Sequence, residues 1–354
     1  MRIPVLLAAA GLMTAGCADQ TDQAPAATAA SDPLLAEAKA LFEPIPTAPV
    51  LPDGVAADGP LVALGKRLFF DPRLSASQAI SCASCHNLAL GGADASAASI
   101  GHGWQRGSRN SPTVYNAVFN TAQFWDGRAK TLEEQAGGPV VNPAEMAMVA
   151  ADVPVQIGSI EGYRPLFAAA FPGAAEPVTM ENIQKAIAAY EATLITPGAP
   201  FDRYLAGDTN ALTDRQKRGL RAYIDTGCAS CHAGRNLGGT SYAPFGLVEA
   251  PDAKLRPPGD KGRYAVTRAP GDEYSFKVPQ LRNIALTAPY FHSGAVWDLK
   301  QAVAVMGQIQ LGQALDETRA AEIAAFLESL TAPQPVIAVP ALPPSTGTTR
   351  RPDS

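Results

Sequence analysis

Cys82-Ala83-Ser84-Cys85-His86 and Cys228-Ala229-Ser230-Cys231-His232 are two copies of one pentapeptide, and their reading decides the fold. Cys-x-x-Cys-His is the attachment pattern of a c-type haem. The two thiols add to the porphyrin vinyl groups, and the adjacent imidazole ligates iron from the proximal side. Two intervening residues let one helical turn present both sulfurs and the histidine to one porphyrin edge. A redox dithiol or half a zinc site also uses Cys-x-x-Cys. Neither needs a histidine directly after the second cysteine, and neither explains two copies in a chain that opens with an export signal. The spacing therefore predicts two covalent haems, one on Cys82 and Cys85 with His86 as proximal ligand, the other on Cys228 and Cys231 with His232.

Working outward, the motifs lie within a longer internal repeat. Gly65-Lys66-Arg67-Leu68-Phe69-Phe70-Asp71 aligns with Gly219-Leu220-Arg221-Ala222-Tyr223-Ile224-Asp225. Cys82 follows Asp71 by 11 residues and Cys228 follows Asp225 by 3, so the first unit carries an eight-residue insertion. Leu61, Leu64 and Leu68 have helical spacing. Thr213 with Gln216 reads as a capping box ahead of Leu220, Tyr223 and Ile224. Thr179 caps a stripe of Ile183, Ile187, Tyr190 and Leu194, and Asp316 one of Ile323, Phe326, Leu327 and Leu330. One amphipathic helix thus precedes each motif and another follows far downstream. The fold class expected is mainly α, with two cytochrome c-like helical domains, each bearing one haem. Pro197-Gly198-Ala199-Pro200 is the linker, which divides an N-terminal domain, 47–196, from a C-terminal one, 197–330. The Pro-rich tail, 331–354, is expected to run extended over the surface.

The rest of the composition narrows the function. The chain has 354 residues, 28 basic against 33 acidic for a net charge of −5, and 47% hydrophobic residues. No basic excess marks a nucleic-acid binder, and the apolar content excludes a disordered chain. Residues 1–16 read as a secretory signal, with Arg2 ahead of an apolar run too short to span a bilayer. Thr14-Ala15-Gly16-Cys17 is similar to a lipobox, with Thr where Leu is usual. Cys17 is therefore either a lipid anchor or a residue lost with an ordinary signal. Residues 17–46 read as a flexible tether. The export signal places the chain in the periplasm, with or without a membrane anchor.

Beyond His86 and His232, the candidates for a sixth iron ligand are His102, His292 and the methionines at 146, 148, 180 and 306. A methionine on a loop before the last helix raises a haem's potential, and Met306 stands ten residues before Asp316. His292 is its rival, or a hydrogen-bonding residue. In the first unit, Asn142-Pro143-Ala144-Glu145-Met146-Ala147-Met148 puts a carboxylate beside methionines. Over an open iron, Glu145 is a general base for peroxide; otherwise it is a solvated loop acid. His102, between Gly101 and Gly103, is either a removable cap on the first iron or a structural histidine.

These residues resemble the bacterial dihaem cytochrome c peroxidases from about Leu61 to the C-terminus. The shared runs include Leu68-Phe69-Phe70-Asp71-Pro72-Arg73-Leu74-Ser75, Gly101-His102-Gly103-Trp104, Phe124-Trp125-Asp126-Gly127-Arg128-Ala129 and Leu281 through Gly294. The resemblance implies hydrogen peroxide as substrate and a small cytochrome c or cupredoxin as donor. Electrons enter at the high-potential C-terminal haem, ligated by His232 and Met306, and pass to the peroxidatic N-terminal haem. It further implies His102 as the distal ligand that leaves on activation, Glu145 as acid–base, and Gln135 as a second distal residue. Trp125 falls between the haems. Asn110, Thr287 and Pro289 match a calcium site, the last two through carbonyls, and a homodimer is expected. Two alternatives stand. A dihaem oxygenase that matures a tryptophan-derived cofactor carries tyrosine where Met306 stands. A non-enzymatic dihaem carrier or redox sensor would keep both irons six-coordinate.

Overall fold

Two helix pairs, one for each half of the repeat, organise the computed structural model, which describes Met1 and residues 32–352. The signal segment and Cys17 lie outside the described residues. Helix α1 (Pro33–Leu41) comes first, followed in the N-terminal half by α2 (Pro60–Phe70), α3 (Cys82–Cys85), α4 (Leu132–Val141), α5 (Asp152–Gly158), α6 (Tyr163–Ala170) and α7 (Met180–Glu191). The C-terminal half has α8 (Pro200–Ala206), α9 (Asp214–Thr226), α10 (Tyr264–Thr267), α11 (Leu299–Leu311) and α12 (Glu317–Glu328). Its strands β1 (Tyr242–Pro244) and β2 (Ser275–Lys277) pair antiparallel, with Tyr242 opposite Lys277. The mainly α, two-unit fold expected from the repeat is what forms. Among the described residues no helix is long and apolar enough to cross a membrane.

α2 packs on α7, and α9 on α12. Leu64, Leu68, Phe69, Ile183, Ile187 and Tyr190 are buried in the first core, and Leu220, Tyr223, Ile323, Phe326 and Leu327 in the second. The caps act as read. Thr213 and Gln216 exchange hydrogen bonds, Gln216 N–H to Thr213 Oγ1 at 3.3 Å and Thr213 N–H to Gln216 Oε1 at 2.9 Å. Thr179 Oγ1 accepts from Asn182 N–H at 3.1 Å, and Asp316 Oδ1 from Arg319 N–H at 2.7 Å. Each cap satisfies an amide that the first helical turn leaves without a partner.

The aligned glycines of the repeat mark the two helix crossings. A Cβ on Gly65 would lie 1.7 Å from the carbonyl oxygen of Ala186, and one on Gly219 would lie 1.9 Å from that of Glu322. Both obstacles are backbone, so the helices themselves must separate. Gly65→Ala and Gly219→Ala should each destabilise by about 1–3 kcal/mol or more, measured by urea unfolding. Unchanged midpoints in both variants would show that neither crossing needs a glycine. The aligned aspartates differ in role. Asp71 is buried after α2, where it pairs with Arg73 at 2.6 Å and accepts from Tyr163 OH at 2.6 Å. Asp225 is about half exposed within α9, 3.5 Å from Arg221.

Part of the expected tether is ordered. In α1 and just beyond it, Ala38 and Phe42 are buried, and the Phe42 ring packs edge-on to Phe201 at 5.4 Å. The apolar face of Leu34, Leu35, Ala38 and Leu41 lies on the C-terminal core, which is why residues 33–46 do not behave as a free linker. Residues 331–352 run without helix or strand, and contacts from 343–350 reach the N-terminal half. Arg73 donates to Pro343 O at 2.8 Å, Gln78 to Arg350 O at 2.9 Å, and Arg350 pairs with Asp152 at 2.9 Å. Between the halves, buried amides close the seam. Asn116 and Asn283 both donate to Thr196 Oγ1, at 2.8 and 2.9 Å, and Gln280 donates to Tyr115 O at 2.6 Å.

Candidate functional site

Each pentapeptide opens onto its own cavity. The first, of about 180 Å³, is lined by Cys82, Cys85 and His86 together with Gln135, Glu145 and Trp125. The second, of about 270 Å³, is lined by Cys228, Cys231 and His232 with Met306, Trp125 and His292. Residues 110–113 and 123–125 line both, so this segment is the shared wall. Trp125 is fixed in it by an Nε1–H bond to Asn110 O at 2.8 Å.

Locally, Ser81 caps α3, and its N–H is taken by Ser84 Oγ at 3.0 Å, so the turn carrying Cys82 and Cys85 is set before the histidine. The four motif cysteines are free thiols. Burial pushes Cys82 and Cys85 up and Cys228 up to about 11. A thiol disulfide exchanger needs the opposite shift, because the thiolate is the nucleophile. Burial also lowers His86 and His232, leaving both imidazoles neutral. Nδ1 of His232 lies 3.1 Å from Leu237 O, which fixes the tautomer and leaves Nε2 for a metal. Nδ1 of His86 is buried with no hydrogen-bond partner. Apolar cavities, paired thiols and neutral imidazoles fit c-type haems at both sites.

Glu145 follows the end of α4. Asn142 Nδ2–H donates to its Oε1 at 2.7 Å. Burial raises its pKa, opposed by Arg128 and by the Asn142 bond. A carboxyl shifted towards neutrality both accepts and returns a proton. Gln135, on α4, faces the same cavity. His102 is not among the lining residues, although Gly101 is. It lies beside the cavity, where its backbone N–H donates to Glu145 O at 2.7 Å and its buried Nδ1 has no partner. The contact requires Gly101, since a Cβ there would come 2.2 Å from Ala144 O.

In the second cavity Met306 stands on α11, not on a loop as expected. The methionine side chain reaches the cavity from a helix that packs against α12. His292 is 2% exposed and stacks on Phe276 at 4.0 Å. Burial lowers it to about 4, with Asp260 opposing and Arg109 and Arg256 reinforcing the effect. Asn110, Thr287 and Pro289 all line this cavity. Asn110 is held by its N–H on His292 O at 2.8 Å and its Nδ2–H on Ser96 O at 2.7 Å.

Three groups were not read from the sequence. Glu191, 4% exposed at the end of α7, lines the first cavity with Oε2 unpartnered. A signal existed, for it stands four residues after Ile187 on the apolar stripe. Arg109 bridges Asp126 and Asp260, each at 2.7 Å. Lys277, 7% exposed, lines the second cavity; nothing in its tripeptide strand signals burial.

Comparison with known proteins bears on both cavities. Residues 60–210 match the model of the family described as di-haem cytochrome c peroxidase. The chain is 56% identical to the cytochrome c551 peroxidase of Pseudomonas aeruginosa, over 92% of this chain and 94% of that one. It is 47% identical to the cytochrome c551 peroxidase of Nitrosomonas europaea, over 82% and 86%. Among solved structures it is similar to a MauG-like protein associated with microbial copper homeostasis, with a TM-score of 0.72 and 28% identity over 81% of this chain and 93% of that one.

Proposed function

This chain belongs to the di-haem cytochrome c peroxidase family, and from that premise we propose that it reduces hydrogen peroxide to water in the periplasm with electrons from a small cytochrome c or cupredoxin. His232 and Met306 would hold the haem that takes electrons from the donor, and His86 would hold the one at which peroxide is reduced. The observation that carries the direction is the asymmetry of the cavities. Glu145 and Gln135 face the one with His86, whereas the one with His232 has no Asp or Glu among its described lining residues; a methionine lines each, Met146 the first and Met306 the second. Methionine ligation favours a high potential and suits an electron-entry site.

When bound, the haems supply a high-potential electron store and a peroxide-binding iron. Glu145 takes a proton from one peroxide oxygen and returns it to the oxygen that leaves as water. Gln135 orients peroxide, and Asn142 holds the Glu145 carboxyl in place. Trp125, in the shared wall, is the conduit between cavities. Asn110 and the carbonyls of Thr287 and Pro289 would hold a calcium ion. A homodimer, lipidation of Cys17 and domain limits of 47–196 and 197–330 complete the reading. The net charge of −5 suits a donor with a basic patch around its redox centre.

The half-reduced holoprotein with calcium tests this reading. A high-spin N-terminal haem that reacts with added peroxide supports the peroxidase, and two low-spin haems support a carrier. His102 is assigned as the removable cap. His102→Gly should therefore turn over without pre-reduction, measured as the lag in oxidation of reduced cytochrome c. A lag equal to that of the parent would remove His102 as the gate.

A further inference from the structure

Among the described residues lining the second cavity there is one Lys or Arg, Lys277, and no Asp or Glu. Lys277 ends β2, opposite Tyr242, with its N–H donated to Trp125 O at 2.7 Å. That bond fixes the residue beside the wall between the cavities. Its side chain is 7% exposed and makes no ion pair with a described carboxylate. The carboxylates of this region are already engaged. Asp126 pairs with Arg109 and Arg128, Asp260 with Arg109, and Asp272 with Arg263. The cations of the first cavity, Arg109 and Arg128, are thus neutralised by protein acids, and Lys277 is not.

A buried ammonium without a counter-charge is costly unless a ligand supplies one. Burial alone brings Lys277 down to about 8, the shift expected of a lysine that lacks an anion. The other described lining residues include no Asp, Glu or Arg, so the cavity's occupant must bring the negative charge. A haem brings two carboxylates. We infer that Lys277 forms an ion pair with a propionate of the haem held by Cys228, Cys231 and His232. The inference rests on the reading that this cavity holds a c-type haem. The pair stabilises the reduced haem relative to the oxidised one, because it offsets propionate charge that would otherwise favour the ferric state. Lys277 therefore helps to keep the electron-entry haem at high potential, as a positioning residue and not a catalytic one.

Redox titration of the holoprotein, with each haem followed by its own absorption, is the test. Lys277→Met and Lys277→Gln should lower the reduced-to-oxidised ratio of the C-terminal haem about tenfold at fixed solution potential, which is about 59 mV for a one-electron couple. The N-terminal haem should stay put, and Lys277→Arg should retain the parent potential. If both neutral variants titrate within twofold of the parent, the ion pair is overturned. Should the neutral variants fail to take up the C-terminal haem, uptake by Lys277→Arg supports the pair, and failure of Lys277→Arg as well assigns the residue to packing and overturns it. Mass analysis of the parent's 228–231 peptide separates these outcomes from failure of the haem reading itself, which would show as no covalent adduct.

Discussion

Glu145→Gln should lower kcat for peroxide roughly 10²–10⁴-fold while both covalent haems stay attached. Glutamine matches the carboxylate in size, and its Oε1 can still accept the Asn142 Nδ2–H bond that holds Glu145 at 2.7 Å. The loop geometry, including the His102 N–H bond to residue 145 O, uses backbone only and survives. What is lost is the exchangeable proton. The pH profile makes the attribution specific. Burial raises Glu145 above the ordinary carboxylate range, and the basic form is the one that takes the peroxide proton. Activity should therefore decline as pH falls through that raised value, and the acid limb of kcat/KM should vanish in the variant. Steady-state oxidation of reduced cytochrome c checks both points. Turnover within tenfold of the parent, with the acid limb intact, would remove Glu145 from the chemistry.

The elements legible in the sequence are those whose causes are local. A capping threonine three residues before its partner amide, as at Thr213 and Thr179, needs nothing from the rest of the chain. The pentapeptides are likewise self-contained. Gly65 and Gly219 were visible as a repeat, but their cause, a backbone carbonyl from a helix more than a hundred residues away, was not. The packing of helix α1 is not legible in the sequence, because the burial of Phe42 depends on Phe201 and Tyr223, far along the chain. Met306 was found through its distance from Asp316, a count that says nothing about the helix it stands on. His102 was legible as a residue, while its link to Glu145 runs through a backbone bond that no side-chain pattern encodes. The buried charges were least legible, since Glu191 and Lys277 owe their shifts to desolvation by the whole fold.

Glu191 yields the second large effect. Its carboxyl is buried at the end of α7, Oε2 has no partner, and burial alone raises it from 4.5 to about 8. In the folded protein it keeps its proton at neutral pH, whereas the unfolded chain releases it. The stability attached to the neutral carboxyl is complete below about pH 4.5. It falls as pH rises and is gone once pH passes about 8. At about 1.4 kcal/mol per pH unit, the loss across that window is on the order of 4–5 kcal/mol. Glu191→Gln keeps the shape and a neutral polar group but has no proton to lose, so its stability should not follow this decline. The variant-minus-parent difference in urea unfolding free energy isolates the effect from every other titrating group. It should grow in the variant's favour by several kcal/mol between about pH 5 and about pH 8. A difference that stays flat across that range would mean that Glu191 is ionised in the folded protein, with a counter-charge supplied from within the first cavity.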